Sequence, residues 1–296
     1  MSRIYDALEK AEREKGSNLD FFDMLEARAE ETEKPEVIPH LEMGEGMISN
    51  PQVVSFFQPD SIAAEQFRKL RTHLLRMNIP KPPKTIMVTS ATEREGKSTV
   101  AANLAAGIAH DLQVHALLVD CDLRNPTLAS WFGVKNGRGL ADYLMGNGTI
   151  PELLRKTEVE RLSILPGGGV QDNPTELIGS KKMGALIQEL KSRYEDRYVI
   201  LDSTPLLSTS EPEVLAKWVD GIVIVVRACV TPRETIKQAI TSLEKEKILG
   251  FVLNDLQFKS TGLFSRYFGS DGYYYKYGYG KGPQNQKGLW NKLFVK

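Results

Sequence analysis

The stretch ATEREGKST, residues 91–99, has the residue types and the spacing of a loop that wraps phosphate groups. It matches the P-loop template from residue 91 to residue 98, except that Ala91 replaces the first glycine. In such a loop backbone N–H groups surround the phosphates, Lys97 would neutralise the β and γ oxygens, and the Ser98 hydroxyl would bind Mg²⁺. We therefore predict a site for ATP and Mg²⁺ whose nucleotide-binding residues are Thr92, Glu93, Arg94, Glu95, Gly96, Lys97, Ser98 and Thr99.

Two further apolar stretches end in carboxylates. ALLVDCDLR carries Asp120 and Asp122, and YVILDSTP carries Asp202. In a parallel sheet these strand ends share one edge with the phosphate loop, so we expect the three carboxylates to converge where Mg²⁺ and the γ-phosphate would lie. An aspartate at a strand end is more often a turn or capping residue, but a neighbouring phosphate loop inverts those odds. Since one acidic strand end is enough to hold the metal, the pair at 120 and 122 leaves one carboxylate free to accept a proton from an attacking hydroxyl.

Apolar segments alternate with amphipathic segments from about residue 60 onward. The pattern predicts strands at 85–90, 115–120, 162–167, 198–203, 221–226 and 250–255. Segments with helical periodicity separate most of them, at 98–112, 180–195 and 232–246. Continuous apolar strands that alternate with helices indicate a parallel sheet covered on both faces. We therefore predict an α/β fold of the P-loop NTPase type, with a mostly parallel, doubly wound sheet flanked by helices.

The two ends of the chain differ from its middle in charge. Residues 1–50 hold thirteen acidic and six basic residues, a net charge of −7, whereas residues 259–296 hold seven basic residues and one acid, Asp271, a net charge of +6. We predict an acidic N-terminal helical and linker segment at 1–50, a P-loop domain at 51–258, and a flexible basic, tyrosine-rich tail at 259–296. Ends of opposite sign suggest segments that bind a partner or each other, and two solvated tails remain an equally good interpretation.

Composition excludes several classes of protein. The chain of 296 residues has zero net charge, no run of eighteen apolar residues, and no apolar stretch near its N-terminus that resembles a signal peptide. Cys121 and Cys229 are the only cysteines, and neither they nor the four histidines have the spacing of a disulfide or metal site. We therefore expect a globular protein of a reducing cytoplasm.

A cluster of tyrosines lies in GYYYKYGYGKG, residues 272–282. Five phenols occupy seven consecutive positions there: Tyr273, Tyr274, Tyr275, Tyr277 and Tyr279. Glycine and lysine surround them, so the sequence provides no apolar partners with which the rings could build a core. Taken alone, the cluster is also compatible with an aggregation-prone low-complexity tail or with a stacking surface for nucleic acid.

The motifs together resemble those of one family, the bacterial tyrosine kinases (BY-kinases). ATEREGKST, LLVDCDLR and VILDSTP look like its Walker A, A′ and B motifs, EQFRKLR at 65–71 is similar to its E-x-x-R-x-x-R element, and the tyrosine cluster is similar to its autophosphorylated tail. The resemblance covers about residues 55–280. Two departures affect the expected loop geometry: Glu93-Arg94-Glu95 stands where the family often has Pro-Gly before the final glycine, and DSTP lacks the usual second proline.

This resemblance implies an ATP-dependent protein-tyrosine autokinase that regulates polysaccharide chain synthesis and export. It implies catalytic roles for Lys97, Asp120 and Asp122, with Asp120 as the base that accepts the phenol proton. It also implies Mg²⁺ ligands at Ser98, Asp122 and Asp202. The γ-phosphate would pass to tail tyrosines, in this family those of a neighbouring subunit. The autophosphorylation sites would be Tyr273, Tyr274, Tyr275, Tyr277 and Tyr279.

The same resemblance implies partners. Glu65, Arg68 and Arg71 span roughly 120° of a helix and form one charged stripe. A solvated face is the ordinary interpretation of such a stripe, but beside the kinase motifs we expect an oligomer interface that closes a ring. A membrane-embedded polysaccharide chain-length regulator on a separate chain would be the activator, a tyrosine phosphatase would reverse the reaction, and no nucleic acid would bind. The protein would then be cytoplasmic and held at the inner face of the cell membrane through its partner.

Other functions fit part of the pattern. Septum-positioning and plasmid-partition ATPases share the sheet and the carboxylates, but they carry a signature lysine where Thr92 stands and have no tyrosine tail. A non-catalytic ATP-binding regulatory module of a polysaccharide export complex is a second alternative, against which the complete set of phosphate-loop and acidic residues argues. A small-molecule kinase is a third.

Overall fold

A computed structural model describes residues 50, 52–77, 82–111, 113–134, 137–193 and 196–255. The acidic segment predicted at 1–50 (Asn50 apart) and the tyrosine-rich tail predicted at 259–296 lie outside these residues, so both predicted boundaries stay predictions. In the part of the chain that is described, no helix is both long enough and apolar enough to span a membrane.

A seven-stranded sheet forms the centre of the fold. Its strands are β1 (Thr85–Ser90), β2 (His115–Asp120), β3 (Arg155–Lys156), β4 (Leu162–Leu165), β5 (Arg197–Asp202), β6 (Gly221–Arg227) and β7 (Ile248–Asn254). Their order across the sheet is β3-β4-β2-β5-β1-β6-β7, and every neighbouring pair is parallel except β3 and β4. The predicted α/β fold with a mostly parallel sheet is therefore confirmed.

Helices cover both faces of this sheet. Among the described residues they are α1 (Val54–Phe57), α2 (Ile62–Leu75), α3 (Lys97–Ala109), α4 (Leu128–Trp131), α5 (Leu140–Met145), α6 (Ile150–Leu153), α7 (Pro174–Ile178), α8 (Lys181–Arg193), α9 (Glu211–Leu215) and α10 (Arg233–Ala239). Successive β1 residues alternate between two cores, since Met87 joins the cluster that contains α8 while Ile86 and Val88 join the cluster that contains α3. The sheet is thus doubly wound, as predicted.

Some elements differ from the predicted ones. Strand β4 ends at Leu165, two residues early, because the next carbonyl, that of Pro166, accepts a hydrogen bond from Leu140 N (2.7 Å) instead of continuing a ladder. The helix predicted at 232–246 ends at Ala239 and continues as two 3₁₀ turns, which bring Leu243 into the core. The antiparallel strand β3 was not predicted, because two residues show no periodicity.

The strand register brings the acidic strand ends together. Asp120 of β2 is the register partner of Asp202 of β5, and Val88 of β1 pairs with Asp202 on its other side. Strand β5 therefore lies between the strand that leads into the phosphate loop and the strand that carries Asp120 and Asp122. All of these groups lie at the carboxyl edge of the sheet, as predicted.

The opposite, amino-terminal edge is held by Asp220. Its Oδ2 accepts hydrogen bonds from the amides of Lys84 and Thr85 (3.0 Å each) and from the Thr85 hydroxyl (2.9 Å), while Oδ1 pairs with Lys191. Burial raises the pKa of Asp220, but the hydrogen bonds from Lys191 and Thr85 outweigh it, so the pKa lies below its ordinary value. This carboxylate joins the start of β1 to α8 and to the turn before β6.

Candidate functional site

The phosphate loop leads from β1 into the N-terminus of α3. Gly96 precedes the helix with φ +92°, a left-handed conformation that glycine adopts without strain, and Arg94 is also left-handed, with φ +60°. Lys97 is the first residue of α3, so the first amides of the helix have no partner within it and carry the positive end of its dipole. A helix of thirteen residues that begins in this way suits an anionic phosphate.

Glu95 does not point toward the place where phosphate would bind. Its side chain is only 2% exposed, and its Oε2 accepts hydrogen bonds from the amides of Ala91 (2.9 Å) and Thr92 (3.2 Å). The side chain of Thr99 also turns aside, because its hydroxyl bonds to Gln52 (3.2 Å). Of the predicted nucleotide-binding residues, the Glu95 carboxylate and the Thr99 hydroxyl are thus engaged within the protein, as is the Thr92 amide. Glu93 and Arg94 lie exposed on the outside of the loop.

Lys97 and Ser98 meet the carboxylates. Lys97 Nζ lies 3.1 Å from Asp122 Oδ2 and 3.3 Å from Ser98 Oγ. Burial lowers the pKa of Lys97, but the negative charges of Asp202 and Asp122 raise it by more, so its pKa lies above the ordinary value and the amine stays charged. Ser98 lies close enough to Asp202 to lower the pKa of that carboxylate. Residues predicted to act together from three separate motifs therefore lie in one site.

Asp120 is 1% exposed and accepts hydrogen bonds from three backbone amides. Its Oδ2 accepts from Thr127 N and Leu128 N (3.1 Å each), and its Oδ1 accepts from Asp122 N (3.2 Å). Burial, followed by the charge of Asp202, raises the pKa of Asp120 well above its ordinary value despite these hydrogen bonds. In this arrangement Asp120 shapes the loop after β2, and its carboxylate has a high affinity for a proton.

Asp202 is also 1% exposed, and among the described residues its Oδ1 is buried without a hydrogen-bond partner. Burial raises the pKa of Asp202 to about 6, although the charge of Lys97 and the hydrogen bond from Ser98 lower it. A buried oxygen that lacks a donor is costly unless something else satisfies it. A cation that binds here would do so.

The side chains fit a Mg²⁺ ion that is completed by other ligands. Within the described ranges, no three His, Cys, Asp or Glu side chains form a ready-made metal cluster. Mg²⁺ in nucleotide sites ordinarily takes one or two protein ligands and fills its remaining positions with phosphate oxygens and water. The Ser98 hydroxyl and the unpartnered Asp202 Oδ1 meet that requirement, and Asp122 becomes available if Lys97 turns to a phosphate.

The stripe predicted as an interface lies on α2. Arg68 pairs with Glu65 (2.7 Å) and donates to the carbonyl of Pro59 (2.7 Å). Arg71 donates to the carbonyl of Gly107 in α3 (3.0 Å). Glu65 and Arg68 are exposed, whereas Arg71 holds α2 against α3. The five predicted phosphorylation sites lie outside the described residues.

Two contacts at this edge were not predicted from the sequence. Arg124, two residues after Asp122, binds Glu211 of α9 through Nε (3.0 Å) and Nη2 (2.8 Å), and Glu211 also accepts from the Thr175 hydroxyl (3.0 Å). Asn254, the last residue of β7, donates to the carbonyl of Glu95 (2.9 Å). Both contacts join residues far apart in the chain, and the sequence around each residue does not predict them.

Comparison with known proteins agrees with this geometry. The family model described as AAA domain matches residues 84–248. The kinase domain of the Escherichia coli tyrosine kinase ETK superposes with a TM-score of 0.66 at 28% identity, covering 71% of this chain and 82% of that domain. The succinoglycan biosynthesis transport protein ExoP of Rhizobium meliloti is 31% identical over 225 residues, which are 74% of this chain but 28% of ExoP.

A relative of similar length is the tyrosine-protein kinase YwqD of Bacillus subtilis. It is 32% identical over 226 residues, which cover 76% of this chain and 94% of YwqD. The match thus extends over nearly the whole of that kinase and includes the phosphate loop and both acidic strand ends. The chain therefore belongs to the family of bacterial tyrosine-protein kinases.

Proposed function

We propose that this chain is an ATP-dependent protein-tyrosine autokinase that transfers the γ-phosphate to its own tail tyrosines and thereby regulates polysaccharide synthesis or export. The observation that carries the proposal is the contact of Lys97, at the start of α3, with Asp122, beside the paired strand ends of Asp120 and Asp202. A lysine, a helix N-terminus and three carboxylates at one sheet edge are the groups that phosphoryl transfer requires.

The reaction is an in-line displacement. The phenol oxygen forms a bond to the γ-phosphorus while the bond from that phosphorus to the β–γ bridging oxygen breaks, and ADP leaves with the electron pair. Lys97 stabilises the negative charge on the phosphate oxygens. Ser98, Asp122 and Asp202 would hold Mg²⁺, which would supply positive charge against the phosphates.

Asp120 accepts the phenol proton in this proposal. Burial raises the pKa of Asp120, which supports the assignment because the carboxylate then binds a proton more readily than an ordinary aspartate does. Its three backbone hydrogen bonds also fix the loop that carries Asp122. Asp120→Asn should therefore reduce phosphotransfer strongly while Mg²⁺–ADP still binds, and undiminished transfer in this variant would contradict the role of base.

The substrate tyrosines and the subunit that presents them are part of the proposal. Strand β7 is parallel to β6 and ends at Asn254, which contacts the phosphate loop, so the segment that follows leaves from the edge where the chemistry occurs. The proposed acceptors on a neighbouring subunit are Tyr273, Tyr274, Tyr275, Tyr277 and Tyr279. A homo-oligomeric ring with exposed Glu65 and Arg68 at its interface would bring one subunit's tail to the next.

The partners in this proposal follow from the family. ExoP is named as a transport protein of polysaccharide biosynthesis, and most of its length lies beyond the region matched here. We propose that a separate membrane-embedded chain-length regulator activates this chain at the cytoplasmic face of the membrane. A tyrosine phosphatase would return the tail to its starting state, and nucleic acid has no part in the cycle.

Phosphotyrosine mapping tests the proposal. Purified protein is incubated with ATP and Mg²⁺, and mass spectrometry should find phosphate on the tyrosines of residues 273–279. In a mixing experiment, a Lys97→Met chain with intact tyrosines is combined with an active chain whose five clustered tyrosines are replaced by phenylalanine. Phosphate on the Lys97→Met chain means transfer between subunits. ATP hydrolysis without any phosphotyrosine would instead favour the positioning-ATPase alternative.

A further inference from the structure

Glu95 places a carboxylate inside a loop that has to bind an anion. This negative group is 2% exposed, and its two oxygens serve different parts of the chain. Oε2 accepts hydrogen bonds from the amides of Ala91 (2.9 Å) and Thr92 (3.2 Å) at the beginning of the phosphate loop. Oε1 accepts the hydroxyl of Thr231, which lies between β6 and α10. The carboxylate therefore connects the start of the phosphate loop to the loop that follows the neighbouring strand β6.

The backbone of the same residue is held from the other side. The Glu95 carbonyl accepts a hydrogen bond from Asn254 Nδ2 (2.9 Å) at the end of β7. The next residue is Gly96, where an added Cβ would lie 2.0 Å from that same Nδ2, so Asn254 fits against the loop only because glycine is there. The loop is thus held by Thr231, after β6, and by Asn254 of β7.

We propose that Glu95 is a positioning residue that holds the phosphate loop in its phosphate-binding shape, with Thr231 and Asn254 as its supports. The inference rests on the proposed function only in requiring that the loop binds a nucleotide, and not on phosphotransfer to tyrosine. A loop that is already ordered binds its ligand more tightly than one that must be ordered by the ligand. The amides at the start of the loop would otherwise be unsatisfied and free to rearrange.

This role depends on the geometry of hydrogen bonding and not on charge. A negative charge close to bound phosphate would weaken nucleotide binding. The charge of Glu95 therefore does not explain a favourable effect on that binding. Glutamine has the length of glutamate, can accept both amides through its oxygen, and can keep a hydrogen bond with the Thr231 hydroxyl. Aspartate keeps the charge but is one methylene too short to reach both partners.

Three variants separate shape from charge: Glu95→Gln, Glu95→Asp and Glu95→Ala. Each full-length protein is titrated with Mg²⁺–ADP, and its melting temperature is measured without nucleotide and with saturating ADP. We expect Glu95→Gln to stay within about threefold of the wild-type dissociation constant, and Glu95→Asp and Glu95→Ala to bind at least about tenfold more weakly. A purely structural role would lower the melting temperature of the free protein but leave the rise caused by ADP unchanged.

Wild-type affinity in Glu95→Ala would overturn the proposal, as would an aspartate variant that binds better than the glutamine variant.

Thr231→Val and Thr231→Ser form a milder matched pair in case Glu95→Ala fails to fold. The valine variant should bind ADP about three- to tenfold more weakly and the serine variant should bind normally. Equal affinities of the two would contradict the role of Thr231. If the variants bind ADP as expected but the wild-type protein forms no phosphotyrosine, the proposed kinase function is contradicted and the role of Glu95 is not.

Discussion

Lys97 Nζ and Asp122 Oδ2 form an ion pair of 3.1 Å between the phosphate loop and the loop after β2. The lysine charge is thus balanced by a carboxylate of the site itself. A phosphate that binds here takes over the lysine and releases Asp122, so nucleotide binding and the freeing of a carboxylate for Mg²⁺ occur together.

Lys97→Met should reduce tyrosine autophosphorylation by about 10²- to 10³-fold or more, because the variant lacks the charge that stabilises the transferring phosphoryl group. The fold should remain, since Lys97 contacts carboxylates of the site and not the apolar core. Phosphotyrosine formation and circular dichroism are measured side by side. Lys217→Met, which removes a positive charge from an exposed position after α9, is the matched control and should retain activity.

The stability of the nucleotide-free protein should fall as the pH rises from about 4 to about 6. The pKa of Asp202 is raised from 3.8 to about 6, so in this range the folded state holds a proton that the unfolded state releases. The contribution of this group is on the order of 3 kcal/mol and is unfavourable above pH 6.

Asp202→Asn should flatten this slope and stabilise the metal-free protein at pH 7, while weakening Mg²⁺-dependent nucleotide binding. Urea unfolding in the presence of EDTA at several pH values measures the slope. Asp120, whose pKa is also raised, should leave a residual slope of the same sign in the variant. Identical pH profiles for the wild type and the variant would contradict the assignment.

Arg124→Ala should destabilise the protein by about 2 kcal/mol, because it removes a charged partner from a carboxylate that stays buried. Glu211 is 1% exposed, whereas the Arg124 side chain is 49% exposed. Without Arg124 the carboxylate of Glu211 is therefore left buried without its charged partner. Burial raises the pKa of Glu211, and hydrogen bonds from Thr209, Thr175 and Arg124 outweigh that effect and hold it below its ordinary value.

The double variant Arg124→Ala/Glu211→Gln should recover part of this loss, since no buried charge then remains without its partner. Chemical denaturation of the four proteins in the cycle gives the coupling energy. A double variant less stable than Arg124→Ala would show that Glu211 acts through other contacts.

Arg94→Gly should stabilise the protein by about 0.5 kcal/mol, because a left-handed backbone costs arginine more than glycine, and the greater freedom of unfolded glycine offsets only part of the gain. Arg94 has φ +60°, in the left-handed region. The neighbouring Glu93 has no positive φ, so Glu93→Gly should destabilise instead. Thermal melting of the two variants compares them directly.

In the proposed oligomer, Glu65→Ala/Arg68→Ala should give monomers while lowering the melting temperature only slightly, because the further bond from Arg68 to the Pro59 carbonyl is also exposed. The pair is exposed, and exposed ion pairs contribute little to folding stability, so a change in assembly would show an intermolecular role. Arg71→Ala, in contrast, should lower the melting temperature, because Arg71 binds the carbonyl of Gly107 within the subunit. Analytical ultracentrifugation checks the assembly, and an unchanged sedimentation coefficient in the double variant would leave the stripe as ordinary surface.

The strands and the acidic edge could be predicted from the sequence for simple physical reasons. A buried parallel strand is apolar throughout, so HALLVD and YVILDS indicate β2 and β5 without any help from neighbours. Parallel direction then places Asp120 and Asp202 at one edge, which the register confirms. Gly96 was recognisable because the template requires a glycine before the lysine.

The side-chain directions within the loops could not be predicted. A glutamate in a polar loop is ordinarily solvated. Nothing near Glu95 in the sequence shows that its side chain is buried and accepts a hydrogen bond from Thr231, 136 residues away. The pairing of Arg124 with Glu211, 87 residues apart, is equally invisible. Such contacts depend on how loops from different strands meet, and that is decided by the whole sheet.

Polar groups at the carboxyl edge of the sheet are less completely satisfied than those at the start of β1. At the amino-terminal edge Asp220 satisfies both amides and the hydroxyl at the start of β1, whereas at the carboxyl edge the described residues leave Asp202 Oδ1 and Ser203 Oγ buried without donors or acceptors. Transient opening is easiest where polar groups gain most from water. In the free protein, amide hydrogen exchange should therefore be fastest at the carboxyl edge of the sheet. A bound substrate would then stabilise the part of the fold that opens first.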